Sequence, residues 1–145
     1  MFAMTMQAYR QYEKTQTHTA DAGELVVMLY QGAIRFLSRA SAALESGNLQ
    51  ESHDNLIRSQ EIIAELMGSL DMKVGDVAYN LFRVYEYMHH RLVQANLHKD
   101  PASVEEVANL LRELLPAWQQ AAKEARSEGS ECRRVEDCNF SCVAV

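Results

Sequence analysis

Two residues, Gly47 and Asn48, are all that separates two long stretches of helical apolar spacing in this chain. Glycine takes the left-handed conformation that closes a helix at little cost. Asn48 followed three positions later by Glu51 is a capping box that opens the next helix. A link this short lets the second helix do one thing only, which is to return antiparallel beside the first. The first stretch, Ala22–Ser46, carries Val26, Leu29, Ala33, Leu37, Ala40 and Leu44 on one stripe. The second, from 49 to about 70, carries Leu49, Leu56, Ile63, Met67 and Leu70.

The same logic repeats downstream. From about 74 to 96, Val77, Leu81, Tyr85, Met88 and Leu92 form a third stripe, which Asp100-Pro101 ends. Ser103 with Glu106 reads as another capping box, and Val104, Val107, Leu111, Leu115, Trp118 and Ala122 face inward on a fourth helix. Pro116 removes one backbone bond within that helix, and a kink is expected there. The expected fold is all-α, an antiparallel up-down four-helix bundle over 21–126. It has an N-terminal arm over 1–20 and a disordered tail over 127–145. Asp21 and Glu24 cap the first helix, whose opening turns are apolar on every side across 25–30. An arm bearing Tyr9 and Tyr12 is the nearest segment able to cover that surplus, and equally to uncover it.

At 145 residues the chain is long enough for one core, and it needs neither metal nor disulfide to hold it. Its formal net charge is −6 and its Lys and Arg are scattered, which disfavours nucleic acid as a partner. No apolar run approaches the roughly 20 residues of a spanning helix, and the first residues lack the regions of a signal peptide. A cytoplasmic protein is therefore expected, with no membrane insertion, no cofactor, and a monomer when free. Cys132, Cys138 and Cys142 all fall in the tail, without the Cys-x-x-Cys pairs of a zinc site.

More apolar surface is present than a four-helix core requires. On the second helix Ile57 lies to one side of the stripe, with Ile62 and Leu66 on the other. On the third, Phe82 and Val93 lie on one flank and Tyr87 on the opposite one. The fourth helix has Leu110 alone as a clear large outlier. Wide seams between helices would absorb these residues. If they are exposed they mark an interaction surface, suited to an amphipathic segment laid along the groove between helices two and three.

Several segments resemble the flagellar export chaperones of the FliS type. The likeness spans about 8–125 and rests on Ala8-Tyr9-x-x-Tyr12, on Thr19-Ala20 leading to Glu24-Leu25-Val26-x-Met28-Leu29-Tyr30-x-Gly32-Ala33, and on Asn55-Leu56-Ile57-x-x-Gln60-x-Ile62-Ile63 with Ser69-Leu70-Asp71. It continues through Asn80-Leu81, Tyr85-x-Tyr87-Met88 and Arg91-Leu92-x-x-Ala95-Asn96. The resemblance implies a four-helix bundle that binds the disordered C-terminal region of flagellin, prevents premature polymerisation and passes the subunit to the flagellar export gate. It also implies an arm that occupies part of the binding surface when flagellin is absent. Two departures stand out: Asp21-Ala22 where the family often has Ser-Pro, and Gln31 where it often has Asp.

No catalytic set emerges, and the chain is not read as an enzyme. Glu86 and His89 have the spacing used by di-iron bundles, but no second Glu-x-x-His accompanies them. His53 reads as a core-edge residue. A metal-binding helical-bundle enzyme and a helical adaptor for another amphipathic partner remain the alternatives.

Overall fold

A computed structural model describes residues 22–143 of the chain, with side chains described as far as Ser127. Four α-helices follow one another: α1, Ala22–Ser46; α2, Leu49–Ser69; α3, Asp76–His98; and α4, Pro101–Val143. A single 3-10 turn, Met72–Val74, joins α2 to α3. Among the described residues there is no strand. The arm with Tyr9 and Tyr12, and the Asp21 cap, lie outside the described residues.

The helix ends follow from local chemistry. Gly47 takes φ 78°, and Asn48 accepts from the Glu51 amide at 3.2 Å while its own side-chain amide donates to Glu51 at 3.0 Å. The third helix starts two residues later than its apolar spacing suggests. Asp71 accepts from the Lys73 amide at 3.0 Å to cap the 3-10 turn, and Gly75, at φ 109°, breaks the backbone before Asp76. The fourth helix starts earlier than the Ser103/Glu106 box predicts. Pro101 has its φ preset for a first helical position, so Asp100 becomes the cap, accepting from the Ala102 amide at 3.0 Å and the Ser103 hydroxyl at 2.8 Å. Glu106 is thereby released for other contacts. Helical backbone continues through Pro116 to Val143, beyond the point near 126 where the apolar pattern fades. The cysteine side chains of that stretch lie outside the described set.

The chain packs as two compact units. The larger, Met28–Leu115, contains parts of all four helices and a continuous core of Leu29, Tyr30, Ala33, Leu37, Leu56, Ile63, Tyr85, Met88, Leu92, Val104, Val107 and Leu111. At its centre the Tyr30 and Tyr85 hydroxyls, both fully buried, approach to 2.5 Å with their rings edge-on at 69°. The smaller unit takes the start of α1 up to Val27 and α4 from Pro116. Within it Glu24 pairs with Arg126 and Ala122 is buried.

Several stripe positions depart from expectation, and Val26, Leu44, Met67, Leu70, Leu115 and Trp118 are only half-buried. Leu49 and Val77 sit at core angles yet are 55% and 69% exposed, because each stands on the first turns of its helix. Leu81 is only half-buried for the same reason. Leu66 departs the other way, at 1% exposure. Angular position decides burial only where a neighbouring helix is alongside.

The buried hydroxyl pair should be measurable as coupling. Tyr30→Phe and Tyr85→Phe should each lower stability by about 1–2 kcal/mol. The double variant should lose less than their sum by about 0.5 kcal/mol or more in denaturant titrations. Strict additivity would mean the hydroxyls do not interact in solution.

Candidate functional site

Large apolar side chains left in water are unevenly distributed. Among the described residues eight are exposed, and four of these, Met72 (49%), Val74 (72%), Val77 (69%) and Tyr79 (54%), fall in one short segment across the 3-10 turn and the first turn of α3. α1 contributes Met28 alone, and the described part of α4 contributes none. Half-buried Met67 and Leu70 at the end of α2, with Leu81 and Phe82 on α3, extend the segment along both helices. Each such side chain left wet forgoes about 1.5–3 kcal/mol of burial. Exposed apolar side chains grouped this closely in sequence are the kind of feature that can serve as a docking surface.

The six residues singled out as a partner-facing surface fall in different seams. Ile57, Phe82 and Val93 are half-buried along α2 and α3. His53 and Asn96, which bond at 2.9 Å across those two helices, show which faces meet, since Ile57 lies one turn from His53 and Val93 one turn from Asn96. Ile62 is turned to the opposite seam. Its Cδ1 lies 3.5 Å from where a side chain on Gly32 of α1 would begin. Leu66 is buried in the core, so it is not a surface residue of the free bundle. A flank position cannot be told from a core position by period alone when three helices converge on it.

Tyr87 stands on the α3–α4 side. Its ring is 46% exposed, and its hydroxyl donates to Glu106 Oε1 at 2.5 Å. Arg91 donates to the other oxygen of Glu106 through Nε at 3.0 Å and Nη2 at 2.6 Å. The Tyr87 bond first, and the Arg91 bonds second, hold the Glu106 carboxyl below the usual carboxylate range, while the same bond pushes the Tyr87 hydroxyl up. This clamp joins α3 to α4 and fixes the orientation of an otherwise exposed aromatic ring. The sequence offered no sign of it, because Glu106 looked like a capping residue.

Glu86 is exposed and His89 half-buried. Among the described residues no three His, Cys, Asp or Glu side chains converge as a metal site would require. His53 is exposed, not a core-edge residue, because its ring reaches across the seam to Asn96.

The sequence profile described as "Flagellar protein FliS" matches residues 5–125. The flagellar secretion chaperone FliS of Bacillus subtilis is 34% identical over 120 residues, covering 83% of this chain and 90% of that protein. That of Salmonella typhimurium is 36% identical over 131 residues, covering 88% and 97% respectively. The protein called FliSB in Pseudomonas aeruginosa is 35% identical over 118 residues, covering 78% and 94%.

A depressed Glu106 titration implies a pH dependence of defined sign. The clamp's stabilisation is present above the ordinary glutamate range and is lost as pH falls through the lowered value. Glu106→Gln should therefore melt below the unaltered protein at neutral pH, and the gap should close in acid. A gap that does not change with pH would show that Glu106 is not engaged as a carboxylate.

Proposed function

The chain belongs to the FliS family of flagellar proteins, and on that premise we propose that it holds the C-terminal region of flagellin on the apolar surface formed by α2, the 3-10 turn and α3. The family supports a chaperone role in flagellar export. The observation that carries the finer reading is the clustering of Met72, Val74, Val77 and Tyr79 in water. An amphipathic segment that is disordered alone can lay its apolar side along such a surface, ordering as it binds. Covering that segment would keep flagellin from polymerising prematurely, until the subunit reaches the flagellar export gate. Ile57, Phe82 and Val93 line the continuation of the surface between the two helices, and Tyr87 offers a fixed ring beyond it. Tyr9 and Tyr12 of the arm are proposed to cover part of it when flagellin is absent.

The role is one of binding, not catalysis. A cytoplasmic location goes with it, since the substrate must be held before export. Among the described residues no helix is long and apolar enough to cross a membrane.

Titration of the full chain with a peptide from the flagellin C-terminus tests the reading. Binding should carry a negative heat-capacity change and a gain of helix in the peptide. Val77→Asp, on a side chain already in water, should leave the thermal midpoint unchanged and weaken the peptide about tenfold or more, because a desolvated charge is costly. Leu56→Asp, at a fully buried position, should instead unfold the bundle. No binding at high micromolar peptide contradicts the flagellin assignment. Equal binding by Val77→Asp contradicts the surface.

A further inference from the structure

The outward side of α1 differs from the rest of this acidic chain. Between Glu24 and Glu45 it holds no carboxylate, but it carries Arg35 and Arg39 one turn apart. Arg58 of α2 reaches the same place. The guanidinium groups of Arg39 and Arg58 lie 6.0 and 5.6 Å from the centre of the Phe36 ring, so two cations share one aromatic ring. Arg35 also lines an open cleft of about 460 Å³ with Gln31, Ile34, Arg112 and Leu115. Arg112 is tethered there by Glu105 at 3.1 Å and Asn109 at 2.9 Å.

Of the other described arginines, Arg83 lies over the Tyr79 ring, and Arg91, Arg112 and Arg126 each meet a carboxylate. Among the described residues, Arg35, Arg39 and Arg58 form no ion pair. Guanidinium groups are never discharged at physiological pH and match carboxylates in a two-pronged fork. Grouped cations without counter-charge are a complementary surface for an incoming anion.

We propose that this face, formed by Arg35, Phe36, Arg39 and Arg58 with the adjoining cleft, docks an acidic amphipathic peptide segment of a partner protein. Carboxylates of the segment pair with the three arginines, while its apolar side chains cover Phe36, Ile34 and Leu115. The mixed lining is what selects this ligand class. A small inorganic anion would leave those apolar groups in water, and so would a polyanion that carries no apolar side chains. The site is separate from the α2–α3 surface and does not rest on the flagellin reading.

The test uses the full chain and a fluorescent amphipathic helical peptide built from glutamate and leucine, with a second peptide in which glutamine replaces every glutamate. The acidic peptide should bind and weaken steeply as salt rises, whereas the glutamine peptide should bind at least about tenfold less well. The double variant Arg35→Glu, Arg39→Glu should lose about tenfold or more. Arg58→Gln should lose less, with unaltered circular dichroism for both. Arg83→Glu, whose guanidinium sits by Tyr79 on α3, should bind as the unaltered protein does. Val77→Asp should also leave this binding intact, which separates it from the proposed flagellin surface. Equal binding of both peptides, equal losses from Arg83→Glu and the α1 double variant, or full displacement by inorganic phosphate at matched ionic strength overturns the proposal.

Discussion

Three tight reversals set the terms for everything else in this fold. Each contains a residue with positive φ: Gly47 at 78°, Gly75 at 109° and Lys99 at 52°. Two of these are glycines, for which that conformation carries no side-chain penalty. Lys99 is not, and its left-handed backbone costs about 1 kcal/mol or more. The surroundings compensate, since its amide bonds to the Ala95 carbonyl, Asp100 bonds to the same oxygen at 3.1 Å, and its Nζ donates to Asn96 at 2.7 Å. With consecutive helices forced antiparallel, the register that brings Tyr30 to Tyr85, His53 to Asn96 and Arg91 to Glu106 follows.

Because the reversals were visible as Gly47-Asn48 and Asp100-Pro101, the fold was legible in the sequence. Periodicity found Leu56, Ile63, Met88, Leu92, Val104, Val107 and Leu111, all of which are buried. It failed at element ends. Val77 and Leu49 have the angle of core residues but no helix alongside them, and spacing carries no information about where a neighbour stops. It also failed at Leu66, where a flank position on one helix is the interior of the assembled bundle. Of the six residues read as a partner-facing surplus on α2 and α3, only Tyr87 is exposed. The exposed patch around the 3-10 turn was not readable, because Val74 and Val77 were absorbed into the expected third helix while Met72 fell in the connection before it. The Tyr87–Arg91–Glu106 clamp joins residues 19 and 15 positions apart across two helices, beyond the reach of any local motif.

Two surfaces of opposite chemistry result. One is apolar and lies around the α2–α3 connection. The other is cationic, with an aromatic ring at its centre, on α1 and α2. A chaperone that must hold an unfolded segment and also be recognised by other components needs surfaces that can be occupied independently. Apolar contact supplies most of the free energy for a flexible segment, while charge complementarity governs which partner approaches and how fast. Neither surface relies on the buried core for its chemistry, so each can be altered without unfolding the bundle.

On the proposed reading, flagellin's C-terminal region is held on the segment from Met67 to Phe82. The most direct measurement is a backbone amide NMR titration of the full chain with that flagellin peptide. Shift changes should concentrate from 67 to 82 and around Ile57 and Val93, while Arg35, Phe36 and Arg39 remain unmoved. Changes centred on the α1 arginine face, with the amides from 67 to 82 undisturbed, would contradict the account.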